Sequence, residues 1–202
     1  LKGSLQPGRK LRLQALKDQY EVGNSPLREA LNRLSSNGLV IREENKGFRV
    51  SPASVEELME LVRTRCWLEE TALRESILNG DDEWEERIVL AYHRLSRAPR
   101  PENEESFNTD PQWEEFHRQY HLALISGCNS NILLGYCKQL HEQALRYRNL
   151  TAVVAYRDRH EHNQHEAIRD ATLSRDADRA VELLTEHFKI TADIVVSSKA
   201  LT

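Results

Sequence analysis

The sequence predicts a mainly α protein in two parts, a winged helix-turn-helix over residues 1–52 and an all-helical bundle over residues 54–202. Three observations carry this reading. The stretch Val22–Gly38, VGNSPLREALNRLSSNG, reads as a short amphipathic helix between an earlier helical stretch and a hairpin pattern. No alternating strand pattern occurs after Val50. Charge also divides between the parts. Residues 1–52 hold ten Lys/Arg against five Asp/Glu, a net of +5, so the remainder carries −9 to reach the total of −4. A basic segment on an acidic body suits a reader of nucleic acid attached to something that does not touch it.

In chain order, Pro7-Gly8 predicts a turn. Leu11, Leu16 and Tyr20 suggest a short helix, and Glu21–Asn24 a tight junction. In the next helix Ser25 is a good N-cap and Pro26 fits the first helical position. Leu27, Ala30, Leu31 and Leu34 form its apolar face, and Asn37-Gly38 stops it with a left-handed residue. Arg28, Asn32, Arg33 and Ser35 lie off that face. Leu39–Ile41 reads as a strand, Glu43–Gly47 as a turn and Phe48–Val50 as a return strand.

After Ser51-Pro52, Ser54 and Glu57 have capping-box spacing. A helix follows from Val55 to about Leu78, with Leu58, Leu61, Val62, Leu68, Ala72 and Ile77 inward and Asn79-Gly80 as its stop. Asp81–Arg97 is a second helix with Trp84, Ile88, Ala91 and Leu95 inward. Residues 98–111 are polar and proline-rich, hence a loop. Further helices are expected at roughly 112–126, 129–150, 156–174 and 176–198, giving a six-helix bundle.

No apolar run approaches membrane-spanning length and no signal peptide opens the chain. Cys66, Cys128 and Cys137 are odd in number and lack zinc-ribbon spacing. The expected compartment is therefore the reducing cytoplasm, with the thiols acting as small buried hydrophobes. No nucleophile motif or phosphate loop is present.

The segments LQPGRKL, SPLREALNRL, NGLV and NKGFRV resemble, in order, the DNA-binding domain of GntR-type bacterial transcription regulators. The resemblance implies a recognition helix within Val22–Ser36, a wing tip at Asn45-Lys46-Gly47 and a double-stranded DNA operator as partner. It also implies a further helix ahead of Leu1. Asn24 stands where the family often has an arginine before the Ser/Thr-Pro step, here Ser25-Pro26. Gln14 stands where it often has another, with Arg12 nearby. Arg28, Asn32 and Arg33 are then the best readers of base edges or phosphates, and Lys46 and Arg49, beside Gly47, are expected on phosphate. A homodimer would read a roughly palindromic operator.

Of the eight histidines, His117, His121, His165 and His187 stand out by position. His117 and His121 are four apart on one side of a helix, a ready chelate or equally a pair of satisfied core histidines. For His93, His141, His160 and His162 a satisfied or surface role is expected. The bundle resembles the FadR-type ligand-binding domain, the FCD domain. Its metal-binding members carry an Asp-x-x-x-His pair on one helix and single histidines on two later helices. FHRQYHLAL matches the first element with His121 at the histidine position, and His165 and His187 match the others. His117 replaces the usual aspartate, as in the carbon-starvation-type regulators that WEEFHRQYHLALISGC also resembles. An all-imidazole site stays fully cationic, which favours a divalent ion such as zinc or nickel and an anionic ligand. Arg65, in Arg-x-x-Leu-Glu spacing, matches a family position that often faces the pocket and suits a second carboxylate. Arg146 and Arg148 are weaker effector candidates, equally readable as solvated arginines. A small dicarboxylate or hydroxy acid is the implied effector, relieving a repressor. Three other classes remain open: a His-rich metalloenzyme with Glu166 beside His165, an effector-independent DNA-binding protein, and a structural bundle.

Overall fold

The computed structural model describes residues 6–44, 46–98, 111–155, 161–198 and 201. Most of the predicted loop at 98–111, the wing-tip residue Asn45 and His160 lie outside them, as does the side chain of His162.

The N-terminal part runs β1 (Lys10–Leu11), α1 (Leu13–Tyr20), α2 (Asn24–Ser36), β2 (Val40–Glu43) and β3 (Gly47–Val50). Its antiparallel sheet has the order β1-β3-β2. Leu11 pairs with Phe48 on β1 instead of joining α1, and Tyr20 is exposed. Two residues are too short a run for a strand pattern to show. Leu11, Leu16, Leu27, Leu31, Val40 and Phe48 form a small core. Ala30 is exposed, so the buried stripe of α2 is narrower than its apolar spacing suggests.

The ends of α2 differ in how far they follow local signals. The helix begins two residues early, at Asn24, with Gly23 as N-cap and no side-chain cap. Ser25 is thus inside the first turn. Pro26 keeps its place there at no cost, because the first-turn N–H groups have no partner within a helix. At the other end Gly38 takes φ +73°. Its N–H bonds Ser35 O at 3.1 Å, and Leu39 N–H bonds Leu34 O at 3.0 Å. That is the Schellman closure, and only glycine adopts such a φ without strain.

Six helices follow among the described residues: α3 (Val55–Asn79), α4 (Asp82–Arg97), α5 (Pro111–Ile125), α6 (Asn131–Ala155), α7 (Glu161–Leu173) and α8 (Ala177–Ser197). Ser54 Oγ accepts from Glu57 N–H at 3.1 Å, closing the expected cap. Asp81 caps α4 by accepting from Trp84 N–H at 2.9 Å. Gly80 is not left-handed (φ −67°). A Cβ there would lie 2.1 Å from the Trp84 ring, so close packing demands the glycine. Helix α3 packs on α6 and α8, and α4 on α5 and α7. The core between them holds Leu73, Trp84, Ile88, Tyr120, Leu124, Ile168 and Leu184, all essentially inaccessible. Cys128 and Cys137 are buried free thiols and Cys66 is half-buried. No helix among the described residues is long and apolar enough to cross a membrane.

Candidate metal centre

Helix α5 carries His117 and His121 one turn apart, α7 carries His165 and α8 carries His187. The bundle turns all four inward. Each is at most 3% exposed. One nitrogen from each ring lies within 4.8 Å of the others. Nitrogens about 2 Å from one ion lie roughly 3–4 Å apart, so small side-chain shifts would give a common ligand set. His117 Nε2 and His121 Nε2 already face each other at 3.1 Å.

Neighbours fix the rings. The Trp113 ring stacks on His117 with centroids 4.8 Å apart. The Tyr120 hydroxyl donates to the His165 backbone carbonyl at 2.7 Å. His187 Nδ1 lies 3.1 Å from Gln164 Oε1, a partner that can only accept. This selects the tautomer with Nδ1 protonated and Nε2 free to ligate. Burial and mutual repulsion hold the pKa of His117 and His121 well below the ordinary histidine value. These two imidazoles are thus neutral near pH 7, the form that binds metal. His121 Nδ1 is buried with no hydrogen-bond partner. A dense group of buried imidazoles fits a borderline divalent ion better than it fits an apolar core.

His141 departs from expectation. It is neither a surface nor a satisfied histidine: it is 3% exposed and its Nε2 has no partner. Its ring centroid lies 6.1 Å from those of both His117 and His121. It stands outside the group of four, at the α6 side. The sequence missed it because only the fold turns this face of α6 inward. His93 is exposed, as expected.

A small cavity adjoins the cluster. His117, His121 and His187 line it together with Arg65, Arg148 and Phe188. Arg65 is buried, donates from Nε to Glu69 Oε1 at 2.8 Å and sits 3.9 Å over the Phe188 ring. Its Nη2 has no partner. Arg148 pairs with Glu114 at 2.8 Å. Arg146 does not line the cavity: it pairs with Glu57 at 3.0 Å and bonds the Tyr147 hydroxyl.

Helix α6 also touches the DNA-reading part. Asn37 Nδ2 donates to Glu142 Oε2 at 2.8 Å. Gln143 Nε2 donates to Asn37 O at 3.1 Å, and Gln139 Nε2 to Ser36 O at 3.2 Å. The C-terminus of α2 therefore rests on the helix that lines the cavity through Ala144, Tyr147 and Arg148.

On the reading part, Arg12, Asn24, Ser25, Arg28, Asn32, Arg33 and Lys46 are exposed, and Gly47 is half-buried at φ +91°. Arg49 is engaged within the fold, donating to Glu43 at 2.9 Å and to Gly8 O at 2.7 Å.

A basic winged head on a helical body with a histidine-lined interior fits a DNA-binding transcription regulator. Residues 1–50 match the family described as bacterial regulatory proteins, gntR family, and residues 60–189 match the FCD domain. The chain belongs to the GntR family and carries an FCD domain. It is 41% identical over 195 residues to the uncharacterized HTH-type transcriptional regulator BphR of Paraburkholderia xenovorans (strain LB400), covering 96% of this chain and 80% of that one. It is 32% identical over 206 residues to the HTH-type transcriptional repressor GlaR of Escherichia coli (strain K12), covering 99% and 92%. Among solved structures, E. coli McbR/YncC shares the fold with a TM-score of 0.77 at 22% identity, covering 97% of this chain and 91% of that one. Both sequence relatives are named as HTH-type transcriptional regulators.

Proposed function

We propose that this chain is a metal-containing, ligand-responsive repressor that acts in the cytoplasm as a homodimer on a roughly palindromic operator. A small dicarboxylate or hydroxy acid binding at the metal relieves it. The observation that carries this reading is the group of four buried imidazoles within 4.8 Å of one another, with no carboxylate among them. His117, His121, His165 and His187 would hold zinc or nickel. When bound, the ion supplies a fixed positive charge and a coordination position open to a carboxylate.

The residues do the rest. Arg65 offers its unpartnered Nη2 beside the histidines, suited to the second carboxylate. Arg148 lines the same wall. The cavity beside the histidines is small. An effector that binds a more open arrangement better than this one would shift the equilibrium between the two states. Two elements transmit the change. Helix α3 runs from its cap at Ser54, beside the reading part, to Arg65. Helix α6 carries Arg148 on the cavity and Glu142 and Gln143 on the end of α2. A shift of either would alter the tilt or separation of two recognition helices. Arg28, Asn32 and Arg33 are the proposed readers on α2, with Lys46 on phosphate and Arg12, Asn24, Ser25 and Gly47 at the edge of the surface.

Metal analysis of untagged protein, followed by a thermal-shift screen with dicarboxylates, tests the reading. A stoichiometric divalent ion and a stabilising acid whose effect vanishes after chelation are expected. Metal-free protein that never takes up zinc or nickel would overturn it.

A further inference from the structure

The strand pairing in the hairpin has a consequence for DNA contact. Arg42 pairs across from Phe48, and Ile41 from Arg49. Paired residues share a face of a sheet and neighbours alternate. Arg42 therefore lies on the Phe48 face, toward α2, while Arg49 lies on the other. A cleft of about 310 Å³ opens between α2 and the hairpin. Arg28 and Asn32 line it from the helix, Arg42 from β2, with Glu43 and Gly47 at the sheet side and Phe48 and Leu13 as the floor.

Two guanidiniums thus share one exposed cleft. Among the described residues neither Arg28 nor Arg42 has a hydrogen bond or ion pair. The acid in the lining, Glu43, is already neutralised by Arg49 at 2.9 Å, which holds its carboxyl below the usual range. The cleft therefore presents uncompensated positive charge and an amide. It begins on the face of the helix that reads DNA and ends beside the wing.

We infer that this cleft is a seat for the DNA sugar-phosphate backbone, clamped between Arg28 of the recognition helix and Arg42 of the sheet. Arg42, and not Arg49, is the phosphate contact that the strands supply. Arg49 is a positioning residue: it ties β3 to Glu43 and to the Gly8 carbonyl, and so holds the hairpin against the turn that precedes β1. The inference rests on DNA binding alone and stands or falls independently of the metal and the effector.

The test is binding of the full chain to a labelled mixed-sequence duplex, by fluorescence anisotropy across a salt series. Each phosphate neutralised contributes about 0.9 to the slope of log K against log salt. Arg42→Ala is expected to flatten the slope by about that amount and to weaken binding several-fold at low salt, with an unchanged melting temperature. Arg42→Lys keeps the charge and retains the slope. Arg49→Ala lowers the melting temperature and changes the slope less than Arg42→Ala does. An unchanged slope in folded Arg42→Ala, or a larger change in Arg49→Ala, overturns the inference. Inorganic phosphate at fixed ionic strength separates the two sources of this anion. If it stabilises wild type but not Arg42→Ala, and the slopes are equal, the cleft is a small-anion site and the backbone assignment fails.

Discussion

At the residue scale, the chemistry of this protein comes from where single side chains lose water. His187 gains its orientation from Gln164, so Gln164→Ala should weaken metal affinity by about 10–100-fold while leaving all four ligands in place. Competition against a metallochromic chelator measures this, and an affinity equal to wild type would count against the proposed ligation. Burial also sets a pH dependence. His117, His121 and His141 have folded-state pKa values depressed mainly by desolvation. The unfolded chain then binds more protons below its own pKa of about 6.5. The stability they represent is complete above that pH and is lost as pH falls toward the depressed values. Metal-stripped protein should therefore show a falling melting temperature below about pH 6.5. His141→Phe should lessen that slope. Cys137, whose thiol burial pushes up to about 12, should resist alkylation in the folded protein and react once it is unfolded. The histidines could be picked out by position, but spacing alone left a chelate and a core pair equally open. The role of Arg49 was not legible, because its partners, Glu43 and the Gly8 carbonyl, are set by sheet register and a turn 41 residues away.

At the element scale, α6 is the piece that touches both halves. Its cavity side carries Ala144, Tyr147 and Arg148, and its outer side bonds the end of α2 through Gln139, Glu142 and Gln143. Replacing Glu142 and Gln143 together by alanine should reduce the effect of the effector on DNA affinity, while effector-induced thermal stabilisation persists. Allosteric couplings are commonly about 5–150-fold, so a loss of even half is measurable by anisotropy with and without the acid. Undiminished coupling would leave α3 as the sole route. Gly80 makes a second, local test. A methyl group there meets the Trp84 ring and the Ser76 carbonyl, so Gly80→Ala should destabilise by about 1–3 kcal/mol, read as a lower midpoint in urea. The stop at Asn79-Gly80 was evident from sequence. The reason for glycine was not, since φ there is ordinary and the constraint comes from a tryptophan on the next helix.

At the scale of the whole molecule, the basic head and acidic body point to division of labour. The head reads a polyanion, and the body, with a net charge of opposite sign, stays off it. A symmetric dimer should give a footprint of two half-sites separated by whole helical turns, about 34–36 Å or a multiple of it. Sedimentation would show the dimer. A single monomeric footprint would reject the palindrome.

The sequence by itself determined the parts. The Schellman stop at Gly38, the cap at Ser54, the six helical stretches and the charge division are local or additive properties, set by backbone conformation and composition. It also supplied the family resemblance, and with it the candidate ligands. Tertiary structure alone decided convergence. Four histidines from three helices bring their ring nitrogens within 4.8 Å of one another, and His141 joins their surroundings. Arg42 turns toward α2, and α6 bridges the helical bundle and the winged part. These depend on contacts between residues far apart in the chain, whose geometry follows from how whole helices pack and how strands register, and no local pattern encodes it.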